Sequence, residues 1–229
     1  MKWLIISDIH SNLDALDIVL ARAKKFHYDR MACLGDLVGY GPNPNEIVEW
    51  AKGETKSGSI FVRGNHDDVI GDKTKDTTWY NPAAELAIKL QRKMLTDDNA
   101  KFLTDLPLSA LENDIQFIHG SPGGWDEYIT YSSEAEYGIS CMKGYMCFIG
   151  HTHSPAVWKD DDLRPKIINV GSVGQPRDDN PKACFVIFDS VTKEFKFHRA
   201  QYDVAAVQKK MSAIEGMPPS LIERLKEGR

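Results

Sequence analysis

Five short stretches of this 229-residue chain gather the side chains that can bind metals or move protons. They are Asp8-Ile9-His10, Gly35-Asp36, Gly64-Asn65-His66-Asp67, His119-Gly120 and Gly150-His151-Thr152-His153. Carboxylate, imidazole and amide oxygen, without thiolate, suit borderline divalent metals such as Mn, Fe, Ni, Co or Zn. Asp8, His10, Asp36, Asn65, His119, His151 and His153 make seven donors, too many for one tetrahedral zinc. They suit two metal ions with one carboxylate shared. Two ions about 3.5–4 Å apart form the clamp of phosphoryl hydrolysis: they generate a hydroxide and neutralise the attacking and leaving oxygens. A purely structural zinc site fails on donor number and on the lack of cysteine ligands.

Each fragment alone occurs by chance, but all five follow runs that read as β-strands. Lys2–Ser7 precedes Asp8, and Arg30–Leu34 precedes Gly35-Asp36. Ser59–Val62 precedes Gly64, Ile115–Ile118 precedes His119, and Tyr145–Ile149 precedes Gly150. The C-terminal strand ends of an open α/β sheet converge on one crevice, where ligands bind. Glycines at those ends let the backbone turn sharply and approach closely.

The connecting segments set the fold class. Leu13, Leu16, Val19, Leu20 and Ala23 recur at helical spacing behind Asn12, which stands at an N-cap position. Asn43-Pro44-Asn45-Glu46 opens a helix through Trp50. Asn81-Pro82 starts another through about Leu95, and a shorter piece lies near Asn99–Leu103. Strands alternating with helices imply right-handed crossovers onto a parallel sheet. From Ile115 onward short strands dominate, adding Ala156–Lys159, Lys166–Val170, Ala183–Phe188 and Glu194–His198, the last two joined by a turn at 189–193. A helix follows over Val204–Ile214, with a last short one after Met217-Pro218-Pro219. No linker interrupts the chain. The expected architecture is α/β, two sheets packed within a single domain of residues 1–229.

Composition bounds the function. With 42% hydrophobic and 27% charged residues, the chain reads as an ordinary soluble globule. A net charge of −5 argues against non-specific nucleic-acid binding, which needs a basic face. No window approaches the ~18 apolar residues of a membrane span, and the first apolar run is too short for a secretory signal. Cys33, Cys147 and Cys184 fall in strand runs and, with Cys141, show no C-x-x-C spacing. They read as buried free thiols in a reducing cytoplasm. His27 and His198 lack chemical neighbours and read as partly exposed surface residues.

Together the five motifs resemble those of calcineurin-like metallophosphoesterases. Two further stretches, 35–42 around Asp36 and 169–178 ending at Arg177-Asp178, resemble the compact prokaryotic branch of predicted phosphodiesterases. The resemblance implies a four-layer α/β/β/α sandwich of two mixed sheets with a dinuclear metal site at one end. Asp8, His10 and His153 would hold one metal, Asn65, His119 and His151 the other, and Asp36 would bridge them. His66 is similar to the family's proton donor to the leaving oxygen. Asp67 would orient that imidazole and stabilise its charged form.

Three residues are candidates for substrate contact. Asn12 serves equally as helix cap or phosphate ligand. Tyr40 either shapes its Gly/Pro-rich loop or lines the pocket. Arg177 either grips phosphate in a bidentate manner or pairs with Asp178 or Asp179 at the surface. Trp125, Tyr128 and Tyr131 fit aromatic core packing better than stacking on a nucleobase. The function expected is a dinuclear phosphodiesterase acting on a small phosphorylated substrate, nucleotides among the candidates. The alternatives are a phosphomonoesterase or dinucleoside polyphosphate hydrolase and, in another class, a non-catalytic binding module on the same fold.

Overall fold

A computed structural model describes residues 1–229. The strands are β1 (Lys2–Ile6), β2 (Arg30–Cys33), β3 (Ile60–Phe61), β4 (Ser109–Glu112), β5 (Ile115–Ile118), β6 (Met146–Ile149), β7 (Ala156–Lys159), β8 (Pro165–Asn169), β9 (Ala183–Asp189) and β10 (Phe195–Ala200). The helices are α1 (Leu13–Ala23), α2 (Pro44–Lys56), α3 (Asn65–Gly71), α4 (Pro82–Met94), α5 (Asp97–Asp105), α6 (Ser132–Cys141), α7 (Val204–Ser212) and α8 (Pro219–Glu227).

Two mixed five-stranded sheets result, in the orders β10-β9-β1-β2-β3 and β4-β5-β6-β8-β7. Parallel pairing joins β1 to β2 and β2 to β3 in the first sheet, and β5 to β6 and β6 to β8 in the second. The edges are antiparallel: β9 and β10 on one sheet, β4 and β7 on the other. Chain order and sheet membership therefore part company, since β9 and β10 return to pair with β1. The alternation of side chains along each strand assigns its two faces. Trp3 and Ile5 point between the sheets and meet Phe117, Phe148 and Ile168, while Leu4 and Ile6 point outward beneath the helices. Val207, Met211, Leu221 and Leu225 from α7 and α8 pack into that outer core. The opposite helical layer is thin: α6 covers the second sheet through Ala135 against Cys147, Ile149 and Ile167. The order is helices, sheet, sheet, helix, which is the expected sandwich.

Three elements lie where no periodicity announces them. α3 begins on the ligand-type residues Asn65-His66-Asp67 themselves. β4 is a half-exposed edge strand. In α6 only Ala135 and Gly138 are buried, too narrow an apolar stripe to read as a helix. No helix is long and apolar enough to cross a membrane.

What positions the site is the alignment of strand tips. Asp8 N–H donates to Gly35 O at 3.0 Å and His10 N–H to Asp36 O at 3.0 Å, tying the turn after β1 to that after β2. Gly150 N–H donates to His119 O at 2.8 Å, tying β6 to β5. Between the sheets, Val173 and Gly174 N–H donate to Ser7 O and Asp8 O, each at 2.9 Å. Gln91 of α4, fully buried, reaches three points of the same loops. Its Oε1 accepts from Ser11 Oγ at 3.0 Å and Gly39 N–H at 2.8 Å, and its Nε2 donates to Gly41 O at 2.6 Å.

Candidate metal centre

Six donor side chains from four strand ends converge in two groups, and Asn65, after β3, stands against the second. Asp8, His10, Asp36 and His153 place one donor atom each within 4.8 Å of one another, and so do Asp36, His119 and His151. Asp36 belongs to both. In the first group His153 Nε2 lies 3.3 Å from Asp8 Oδ1, and His10 Nε2 lies 3.5 Å from Asp36 Oδ2. In the second, His119 Nε2 is 3.4 Å from Asp36 Oδ2, 3.1 Å from Asn65 Oδ1 and 3.0 Å from His151 Nδ1. Asp8, His10, Asp36, His151 and His153 all adopt φ between 48° and 67°. Non-glycine residues rarely occupy this left-handed region, and such strain concentrates at functional sites.

The donor set fits cations on hydrogen-bonding grounds alone. His10, His119 and His153 each turn Nδ1 to a backbone carbonyl, of Val38 at 3.0 Å, Leu34 at 2.7 Å and Gln175 at 2.5 Å. These bonds assign Nδ1–H as donor in all three rings and, in the neutral rings of His10 and His153, leave a lone pair on Nε2, the arrangement by which outer carbonyls orient metal-ligating imidazoles. The Nε2 atoms of His10 and His153 then face each other at 3.0 Å, acceptor to acceptor. Asp8 Oδ1 is buried without a hydrogen-bond partner. A pair of facing lone pairs and an orphaned carboxylate oxygen are what a cation would satisfy.

Burial dominates the electrostatics here. It pushes the Asp8 carboxyl up to about 7, helped by the charge of Asp36. Asp36 is also opposed by burial, but His119, His66 and His10 outweigh it and hold the carboxyl well below its usual range. Burial likewise works against charge on His119, yet Asp36 and Asp8 hold it up at about 9. His10 and His153 are driven well down by burial. His151 falls to about 3 through burial and the neighbouring His119.

His66 sits beside both groups but joins neither. Its backbone N–H donates to Asp36 Oδ1 at 2.9 Å, and its ring faces a cavity of about 150 Å³ that also opens onto Asp36 and His151. The ring packs against Tyr40 at 4.6 Å, His10 at 5.0 Å and Tyr80 at 5.6 Å between centroids. Burial lowers it to about 4. Asp67 does not do what its adjacency suggests. Its Oδ1 accepts from Val38 N–H at 3.1 Å and its Oδ2 from Gly64 N–H at 3.0 Å. His66 Nδ1 is left buried with no partner. Asp67 thus fastens the two tip loops, and aromatic packing orients the imidazole.

The softer candidates resolve individually. Asn12 is a helix cap, its Oδ1 accepting from Ala15 N–H at 3.1 Å and its Nδ2 donating to Gly174 O at 2.9 Å; the expected phosphate contact finds its amide already engaged. Tyr40 both shapes its loop, at φ 57°, and lines the cavity. Arg177 also lines the cavity. Its alternative ion pairs are taken, Asp178 by Arg199 and Asp179 by Arg229. Tyr128 is not core. It stacks on His151 at 3.9 Å and is 52% exposed. Tyr131 is exposed too. Three wall residues carry no motif that could announce them: Tyr80, Asn81 and Arg224. Tyr80 accepts from Asn65 Nδ2 at 3.1 Å and so fixes which amide atom faces His119.

Comparison with known proteins agrees with this geometry. Residues 1–193 match the Calcineurin-like phosphoesterase superfamily domain. The chain belongs to that superfamily. It is 35% identical to the uncharacterized protein MJ0912 of Methanocaldococcus jannaschii, over 98% of this chain and 97% of that one. A crystal structure of a metallophosphoesterase from Sphaerobacter thermophilus, also 35% identical, superposes with a TM-score of 0.88 over 100% of this chain and 99% of that one. Symmetrical bis(5'-nucleosyl)-tetraphosphatase of Coxiella burnetii is 28% identical over 58% of this chain, which spans only 47% of that protein.

Proposed function

We propose that the protein is a phosphoesterase working through two divalent cations, and that phosphodiesters are its substrates. The observation that carries this reading is the shared position of Asp36 between two donor groups. Asp8, His10 and His153 would hold one cation with Asp36; Asn65, His119 and His151 would hold the other. When bound, such a pair supplies Lewis-acid activation of phosphorus and a water acidified enough to attack at neutral pH. Every other part falls to the chain. The carbonyls of Val38, Leu34 and Gln175 fix the imidazoles, and Tyr80 fixes the Asn65 amide. His66, on the cavity wall and outside both groups, is placed to meet the departing oxygen; an anionic substrate beside it would offset the burial that keeps the free imidazole neutral and let the ring carry the proton it gives. Arg177, with no carboxylate partner, meets the phosphoryl oxygens. Free thiols at Cys33, Cys147 and Cys184 fit a cytoplasmic setting.

The test is metal add-back. Chelator-stripped protein receives Mn, Fe, Ni, Co or Zn singly and is assayed on a chromogenic diester and a chromogenic monoester, with His66→Ala as control. Metal-dependent diester turnover that collapses in His66→Ala, with metal content retained, supports the reading. A strong monoester preference overturns the diester assignment. No metal-dependent turnover of either ester favours a binding module.

A further inference from the structure

A second cavity, of about 220 Å³, adjoins the active one. Asn65 and Tyr80 line both, so Tyr80 stands as the partition between them. Three aromatic residues line the second cavity: Trp79, Tyr80 and Trp125. The ring of Trp79 stacks on Tyr80 at 4.2 Å between centroids and is 67% exposed. Trp125, from the loop after β5, packs against the Ile118 and Ile129 cluster. The segment that carries Trp79 is fastened in place. Arg92 of α4 donates to the carbonyls of Asp72 at 3.1 Å and Lys75 at 2.9 Å, and Thr77 is buried. A solitary exposed tryptophan needs no explanation, but one held beside two further rings and an active cavity marks a binding surface.

The charges here set the sign of the ligand. Asp68, Asp76 and Asp126 line the cavity against one lysine, Lys75. Lys75 and Arg63 both pair with Asp68. Asp76 accepts from Thr78 N–H at 3.1 Å and Thr78 Oγ1 at 2.8 Å, and neither it nor Asp126 joins a salt bridge. Two carboxylates are thus left over beside the negative faces of three rings. A cation satisfies both features, whereas an anionic group would be repelled.

We propose that Trp79, Tyr80 and Trp125 form a leaving-group subsite, and that it takes the ammonium head of a cationic alcohol. The substrate class is then a phosphodiester of an alkylammonium alcohol, choline being the simplest quaternary case. This rests on the phosphoesterase reading above. Position supports it. His66, which meets the departing oxygen, packs against Tyr80 at 5.6 Å between centroids, so the alcohol departs towards the partition and the rings behind it. Hydrolysis balances with one water: its oxygen joins phosphorus, the P–O bond to the ammonium alcohol breaks, and the alcohol leaves with a proton while a phosphomonoester remains. Size agrees as well. A cavity of about 220 Å³ lies below the roughly 300–1,000 Å³ of pockets that enclose drug-sized molecules, and suits one small head group.

The test compares choline with its uncharged isostere 3,3-dimethylbutan-1-ol, each titrated calorimetrically into metal-free protein. Choline should bind about tenfold more tightly or better. Trp79→Ala should weaken choline about fivefold or more, as expected for loss of one cation–π contact. Trp79→Phe should recover part of that loss, and Trp125→Ala and Asp126→Asn should each weaken choline as well. Because Trp79 is exposed, its replacement leaves folding intact. In Mn-loaded protein, methyl choline phosphate should release choline. Its kcat/KM relative to that of methyl 3,3-dimethylbutyl phosphate should fall about fivefold or more in Trp79→Ala. Equal affinities for choline and the isostere overturn the cation assignment. Choline affinity untouched by every substitution overturns the subsite. Turnover of bis(p-nitrophenyl) phosphate without choline release from the methyl ester overturns the substrate class. If bis(p-nitrophenyl) phosphate is not turned over either, the phosphoesterase reading fails, and the choline titration still judges the rings.

Discussion

Replacing Gly64 by alanine tests whether the metal centre depends on backbone closeness rather than on its donors alone. A Cβ at this position would stand 2.1 Å from Asp36 Oδ1 and 2.3 Å from the Asp36 backbone nitrogen. Non-bonded heavy atoms settle at about 3.5 Å, so Asp36 or the Gly64 turn must retreat by roughly 1 Å. The obstacle is not conformational, since Gly64 has φ −93°, which any residue adopts. Overpacking of this kind costs about 1–3 kcal/mol. For a chain of this length that lowers Tm by about 2–12 °C. The functional loss should be larger, because a displacement near 1 Å in a reacting site costs about 100-fold in rate. As Asp36 serves both donor groups, metal per chain should fall as well. The assay combines thermal unfolding, elemental analysis and turnover of a chromogenic diester. Gly53→Ala is the matched control: nothing lies within 4 Å of its added methyl, and alanine inside α2 should stabilise by roughly 0.5–1 kcal/mol. A Gly64→Ala protein with wild-type metal content and rate would refute the claim that the turn is built around Asp36.

Three further outcomes are expected. Asp36→Asn should lose at least one metal by elemental analysis, because the charge common to both donor groups is gone. Metal added at 100 times its Kd should stabilise the stripped protein by about 2.7 kcal/mol per site, or roughly 5–11 °C in Tm, and EDTA should reverse the gain. Gln91→Leu should unfold at lower temperature despite its apolar side chain, since Ser11 Oγ, Gly39 N–H and Gly41 O lose their partner. At about 1–3 kcal/mol per buried orphan, a loss below 1 kcal/mol in chemical denaturation would contradict the role given to Gln91.

How much of this was legible before folding depends on what kind of signal a residue carries. The strands that end in Asp8, Asp36, His119 and His151 are apolar runs closed by glycine or aspartate, so local pattern and site coincide. The return of β9 and β10 to the first sheet leaves no local trace, because antiparallel pairing with β1 is decided by which apolar faces remain open. The cavity wall was least visible. Tyr80 and Tyr128 sit in segments without periodicity, and Arg224 reaches the cavity only because α7 and α8 fold back over the first sheet.

Asp67 shows where sequence adjacency misleads. Beside His66 it reads as an acid paired with a base. Both residues lie in the first turn of α3, where consecutive side chains do not face each other. The carboxylate therefore turns to the N–H groups of Gly64 and Val38, and the imidazole turns to the cavity. That division has a mechanical consequence. Val38 also supplies the carbonyl that meets His10 Nδ1, so hydrogen bonds tie Asp67 to the candidate metal site through the loop after β2. The same two bonds account for its burial: it fastens the strand tips on which Asp36, Asn65 and His66 are mounted.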